Sequence, residues 1–288
     1  MSWRIWLVFA LLGVLWGLPY LLIKLALAEI SPAGIAWGRI ALAAAILLPL
    51  AWRRGALRLL RPHAGAICVF AFAELVGPFF LIALGETWIG SSLTGILVAT
   101  LPMLIVVIAP LFGIPERLPP RRLLGLCAGL AGVIVLLGVG SLHGLLQWLG
   151  VACVLTGALG YALASIVVQK YLAGVDELGS LAASLGVATV ALFPAAWLTA
   201  PAHLPSTLAL VSVLVLGVVC TALALLMYFY LIHRAGAARA AVITYINPAV
   251  AATLGILVLD EPFGIGAAAG LALILLGSWM ANSATQVV

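Results

Sequence analysis

Charge is what this sequence has least of. Thirteen Lys and Arg and eight Asp and Glu leave 21 charged side chains among 288 residues, or 7%, where a soluble domain carries about 25%. A soluble fold of this size could not cover its surface with so few. That excludes a soluble enzyme, a disordered chain and a nucleic-acid binder. Cysteine is scarce too. Cys68, Cys127, Cys153 and Cys220 all fall in apolar runs and form no CxxC pair, so they read as small buried hydrophobes and not as disulfides or metal ligands. The histidines, at 63, 143, 203 and 233, stand apart near run ends and make no ligand set. No GxxxxGK[ST] sequence is present, so this chain consumes no ATP. No acid-rich cluster, His pair or Ser–Lys dyad gathers near one face, which counts against a membrane-embedded transferase or protease. No cofactor and no metal are expected.

What is present is apolar: 66% of residues are hydrophobic. Charges and Pro/Gly clusters divide the chain into ten runs, at 6–28, 33–52, 64–84, 91–112, 123–139, 146–168, 179–199, 207–232, 240–259 and 264–281. As helices at ~1.5 Å per residue each approaches the ~30 Å of a bilayer core. Only helices satisfy their own backbone over such lengths. The expected fold is therefore an all-α polytopic membrane protein of ten transmembrane helices with short loops. Ala26-Leu27-Ala28 resembles a signal-peptidase site, but the run before it is long and Lys24 interrupts its end, so the first helix is expected to be retained.

Eleven basic residues, namely Arg4, Arg53, Arg54, Arg58, Arg61, Arg117, Arg121, Arg122, Lys170, Arg234 and Arg239, fall at the N-terminus and in loops 2–3, 4–5, 6–7 and 8–9. The alternate loops have none. Both termini are therefore expected in the cytoplasm of a cell with the protein in its inner membrane. Trp3, Trp6, Trp52 and Trp279 near one set of ends and Trp37, Trp88, Trp148 and Trp197 near the other fit interfacial belts; Trp16 alone lies near a span centre.

The two halves, 1–140 and 141–288, resemble each other. Glu116 precedes Gly125 and Gly132 by 9 and 16 residues, as Glu261 precedes Gly270 and Gly277. Leu101-Pro102 and Asn247-Pro248 lie upstream of those glutamates, and Gly13-x-x-Trp16-Gly17 is matched by Gly157-x-x-Gly160-Tyr161. Five helices per copy is odd, so the second copy must be inverted. Inverted repeats with proline-interrupted helices point to alternating-access transport around a midplane site; a duplicated membrane protein without transport is the plainer alternative.

These residues carry a family resemblance. Trp16-Gly17, Ser31-Pro32 with Arg39, Ala83-Leu84 and the Leu101-Pro102…Glu116…Gly125…Gly132 series with its second-half copy resemble the ten-helix EamA-like group of the drug/metabolite transporter superfamily, over essentially the whole chain. The resemblance implies a 5+5 inverted fold and export of small metabolites. Within the group the chain is similar to bacterial amino-acid exporters, including those for aromatic amino acids. Other solutes, such as drugs, sugar derivatives or nucleotide conjugates, stay open, as does a channel. A phosphorylated solute would want more intramembrane cations than Lys24 and Arg39. Expected partners are a small-molecule substrate, protons as a candidate coupling ion, and the bilayer; no nucleic acid and no oligomer are required.

Glu74 lies about 10 residues, or ~15 Å, from either end of its span. An ionisable side chain at such depth is functional by default, unless Arg39 at similar depth forms a structural ion pair with it. Gly77-Pro78, Pro102 and Pro248 are expected to kink their helices, act as hinges and free carbonyls toward the cavity. Trp16, Glu74, Pro78, Thr100, Tyr161, Tyr228, Thr244, Tyr245 and Asn247 are the candidate substrate contacts: aromatic walls with a few fixed polar groups. Lys24 is expected to snorkel to the interface. Gly125-x-x-x-Gly129 and Gly266-x-x-x-Gly270 are small-xxx-small faces expected to join helices 5 and 10.

Overall fold

The computed structural model describes residues 3–58, 60–114, 119–138, 144–235, 243 and 246–282. Among these there is no strand, and ten apolar helices run in order: α1 (Trp3–Ala26), α2 (Pro32–Arg53), α3 (Arg61–Gly85), α4 (Ser91–Phe112), α5 (Pro120–Gly138), α6 (Leu145–Tyr171), α7 (Glu177–Leu198), α8 (Thr207–Leu231), α9 (Asn247–Leu259) and α10 (Ile265–Asn282). Eight are long and apolar enough to cross a membrane, and α9 and α10 are shorter. Large apolar side chains such as Leu7, Leu11 and Val14 on α1 and Leu123, Leu130 and Ile134 on α5 face outward, a surface suited to lipid and not to water. Cys68 and Cys127 share that outward exposure, contrary to the burial expected of them; Cys220 is buried, and all four thiols are free.

Local chemistry sets the ends. Ser31 accepts from Gly34 N at 3.1 Å ahead of Pro32, and Asp176 accepts from Gly179 N at 2.7 Å; each satisfies an amide the first helical turn leaves orphaned. Ser206 caps α8 in the same way, and its own N–H donates to Glu29 from the α1–α2 loop at 2.6 Å.

The packing has the two-fold pattern of an inverted repeat. α2 lies on α7 and α5 on α10, each helix against its own counterpart; α3 packs on α6 as α8 packs on α1, and α4 on α6 as α9 on α1. At the α2–α7 seam Ala36, Ile40, Ala43, Ala44 and Leu47 meet Leu181, Ala182, Leu185 and Ala188. At the α5–α10 seam the repeat glycines pair reciprocally. A Cβ on Gly132 would meet Gly270 O at 2.9 Å, and one on Gly277 would meet Gly125 O at 2.5 Å. Each pair joins the first glycine of one copy to the second glycine of the other, as antiparallel helices about a two-fold axis require. The small-residue faces therefore work inside the protomer.

Two departures from straight helices also come in matching pairs. Ala71–Val76 in α3 and Val218–Leu223 in α8 are π-helical. At their ends Gly77 N donates to Phe72 O, and Ala224 N to Val219 O. Next, α4 is broken at Ala99-Thr100 and restarts at Leu101-Pro102, while α9 begins at Asn247-Pro248. Pro102 therefore follows a break instead of kinking a continuous helix as expected, and the run before Pro248 lies mostly outside the described residues. Each sits in a first turn, where its missing N–H costs nothing. Pro78 likewise opens the regular helix beyond the π segment. The expected span 240–259 begins outside the described residues, as do Glu116 and the join between the halves.

The face opposite the arginine-rich loops is knit across the repeats. Glu261, from the α9–α10 loop, accepts from Ser91 N at 2.6 Å and Ser92 N at 2.8 Å, capping α4. Ser31 bonds Thr199 at 2.7 Å. Lys24 reaches the interface loop as expected, but ends on backbone and not in open water. Its ammonium donates to the Glu86 and Ile89 carbonyls at 2.6 and 2.8 Å, tying α1 to the α3–α4 loop.

Candidate substrate site

The middle of the bundle gathers five of the sequence candidates and three residues that were not among them. Glu74 occupies the fourth place of the α3 π segment and is partly exposed. Thr221 holds the fourth place of the α8 π segment and is buried. Between them comes Arg39 from α2, 9% exposed. The proposed Arg39–Glu74 ion pair is not formed. Arg39 Nε donates to Thr221 Oγ1 at 2.7 Å, and its guanidinium lies over the Phe79 ring with 3.9 Å to the centroid. The Thr221 hydroxyl in turn donates to Leu216 O at 2.8 Å, five residues back. Arg39 and Glu74 still feel each other's charge through space. A hydroxyl and an aromatic face hold the guanidinium in place, and neither neutralises it.

The walls are aromatic. Trp16 on α1 and Tyr228 on α8 meet at a tilt of 50°, with 4.9 Å between ring centroids. Tyr228 is within electrostatic reach of Glu74, and Tyr161 on α6 of both Glu74 and Arg39. Tyr20 on α1 is within electrostatic reach of Arg39 and of Glu86. Tyr161 reaches this place because α6 is thin where it passes α3. A Cβ on Gly160 would meet Ala73 O at 2.7 Å and Pro78 Cγ at 2.9 Å, and one on Gly157 would meet Ile82 and Pro78. Pro78 is thus buried against α6 as a packing residue. The matching glycines of α1 do something else: Gly13 and Gly17 meet Ile246, Asn247 and Val250 of α9.

Two other candidates fall elsewhere. Thr100 is buried and donates to Leu97 O at 2.7 Å, so its hydroxyl closes the first half of α4 and is not presented to a solute. The carbonyl of Ala99 at that break accepts from Ser278 of α10 at 3.1 Å and is not open to a cavity. With its side-chain amide assigned so that nitrogen and not oxygen faces Gly13 O and Ile243 O, each at 3.1 Å, Asn247 clamps the start of α9 to α1. Thr244 and Tyr245 lie outside the described residues. Two signals could have found the missed members. Trp16, Tyr20 and Lys24 recur every fourth residue, one stripe of α1. Thr221 stands in α8 where Glu74 stands in α3.

Comparison with known proteins agrees with this architecture. The model of the EamA-like transporter family matches residues 4–138 and again 148–283. The chain is 30% identical over 251 residues to the uncharacterized inner membrane transporter YedA of Escherichia coli K12, covering 85% of this chain and 79% of that one. It is 26% identical over 286 residues to an uncharacterized transporter of Archaeoglobus fulgidus, covering 96% and 97%. A crystal structure of a protein 21% identical in sequence superposes with a TM-score of 0.69 over 96% of both chains, which shows the shared fold. With two copies of one family's domain spanning nearly all its length, this chain belongs to the EamA-like transporter family.

Proposed function

We propose that the chain exports small metabolites as a secondary transporter, with amino acids, aromatic and hydrophobic ones among them, as its substrates. The observation that carries this reading is the central pair of charges. A carboxylate and a guanidinium share one aromatic-walled interior without pairing to each other. A zwitterion has one end for each. Glu74 takes the ammonium group. Arg39, anchored through Nε, keeps its other guanidinium N–H donors for the carboxylate. Trp16, Tyr228 and Tyr161 cover the side chain, since pockets for such solutes are mostly apolar with few polar groups.

The cycle rocks the first repeat, 1–140, against the second, 141–288, exposing the site to each side in turn. The hinges are the paired irregularities: Gly77-Pro78 beside the α3 π segment, and Pro102 and Pro248 at the restarted helices. On this reading the arginine-rich face and both termini lie in the cytoplasm of a cell whose inner membrane holds the protein, which the basic loops support. The energy comes from the substrate gradient or from protons. Proteoliposomes loaded with a mixed amino-acid pool, followed by mass spectrometry of the efflux at two proton gradients, test this. Selective, saturable efflux of aromatic or aliphatic amino acids, lost in Glu74→Gln, is expected; no flux of any amino acid refutes the substrate class.

A further inference from the structure

Away from the central site, one carboxyl group is buried without any hydrogen-bonding counterpart. Glu86 follows α3 as its C-cap, has no exposed surface, and neither of its side-chain oxygens has a hydrogen-bond partner. An ionised carboxylate in that position would have lost its water and gained nothing in exchange.

The neighbours explain why it is tolerated. Lys24 reaches over from α1, but its ammonium is committed to the Glu86 and Ile89 carbonyls. Glu261 comes from the α9–α10 loop and is committed to Ser91 N and Ser92 N. Tyr20 on α1 also faces Glu86, and Cys153 of α6 lies by Gly85. Lys24 and Glu261 already cancel, so the cluster is neutral only when Glu86 carries a proton. Burial pushes the Glu86 carboxyl well above its usual range; the Lys24 charge opposes this and the Glu261 charge adds to it.

We propose that Glu86 is a proton-binding site, and that its protonated form latches shut the face where the α3–α4 loop meets the α9–α10 loop. Opening that face parts Glu261 from the α4 N-terminus and lets water in. Glu86 then loses its proton to that water, and its carboxylate can draw the Lys24 ammonium off the loop carbonyls. The sign follows from linkage. The closed state binds the proton more tightly, so acid favours closure, and the closed-to-open ratio falls by up to tenfold per pH unit as pH rises between the two states' pKa values. The inference rests on the family's transporter role and not on which solute is carried.

The test uses the full chain in lipid nanodiscs without substrate. The four cysteines are replaced, and spin labels are placed at Thr87 and Gly264, which are both exposed. Distances between the labels are read from pH 5 to pH 9. The wild-type background is expected to hold the short distance in acid and shift to a longer one with a midpoint above the usual carboxylate range. In Glu86→Gln the short distance should persist, unchanged within error, at every pH. A Glu86→Gln variant that titrates like the wild type overturns the proposal, and so does a wild type that does not shift. If Glu86→Gln fails to fold, Glu86→Ala decides. It has no carboxyl to titrate, so the pH-dependent change in distance must vanish, and a change that remains refutes the latch. These distances are read without flux, so failure of the amino-acid reading would leave them standing.

Discussion

Replacing Gly277 by Ala tests the seam that joins the repeats. The added Cβ would lie 2.5 Å from Gly125 O, 2.5 Å from Gly129 N and 2.7 Å from Gly129 Cα. All three are backbone atoms, so no side-chain rotation relieves the clash. Reaching an ordinary contact of ~3.5 Å requires α5 and α10 to separate by about 1 Å at their closest approach. Overpacking of this kind costs ~1–3 kcal/mol, while alanine returns about 1 kcal/mol of helix propensity over glycine. Gly65 in α3 supplies the control, because a Cβ there meets nothing within 4 Å. Gly65→Ala should gain propensity without a clash, so the two variants should differ by ~1–3 kcal/mol. Thermal unfolding of both in the same detergent reads the difference as several degrees. A Gly277→Ala protein that unfolds at or above the temperature of Gly65→Ala would refute backbone-to-backbone contact at this seam.

Thr221→Val removes the hydroxyl that holds Arg39 and should cost ~1–3 kcal/mol in unfolding while raising KM for efflux more than it lowers kcat. Ser278→Ala leaves the Ala99 carbonyl at the α4 break unpaired and should cost ~1–3 kcal/mol, measured by unfolding in detergent. Burial works to raise the Glu261 carboxyl, but its hydrogen bonds to Ser92 and Ser91 outweigh this and hold it below the usual carboxylate range. Its stabilisation is therefore present at neutral pH and lost as acid carries the solution through that lowered value. Unfolding between pH 3 and pH 7 should show an acid limb that Glu261→Gln lacks.

Much of this fold is written in one-dimensional pattern. Ten spans follow from apolar length, and the reciprocal glycines of α5 and α10 follow from equal spacing in two copies, because a two-fold axis turns equal spacing into contact. The side chains that departed from expectation did so through partners far along the chain. Glu86 stands just past a helix end, which locally reads as an exposed loop, yet a loop some 170 residues later folds against the same helix start. Lys24 lies close enough to its helix end to snorkel, but the α3–α4 loop brings carbonyls nearer than water. Arg39 and Glu74 share a depth, and depth alone does not reveal that Thr221 and Phe79 claim the guanidinium first. Thr100 stands two residues before a proline, where a solute contact would be expected, but at the helix break its hydroxyl turns back onto the Leu97 carbonyl that its own N–H also holds.

The paired π segments have a mechanical consequence. A π turn carries a residue beyond what the α pattern needs. Letting that residue pass along the helix advances one half relative to the other by ~1.5 Å and turns it by ~100°. α3 and α8 each hold one such spare residue at the same station, with Glu74 and Thr221 riding on it. Each repeat thus has its own slack, and the Glu74 carboxyl and the hydroxyl that anchors Arg39 can rotate out of phase with the ends of the helices that carry them, with no change in span length.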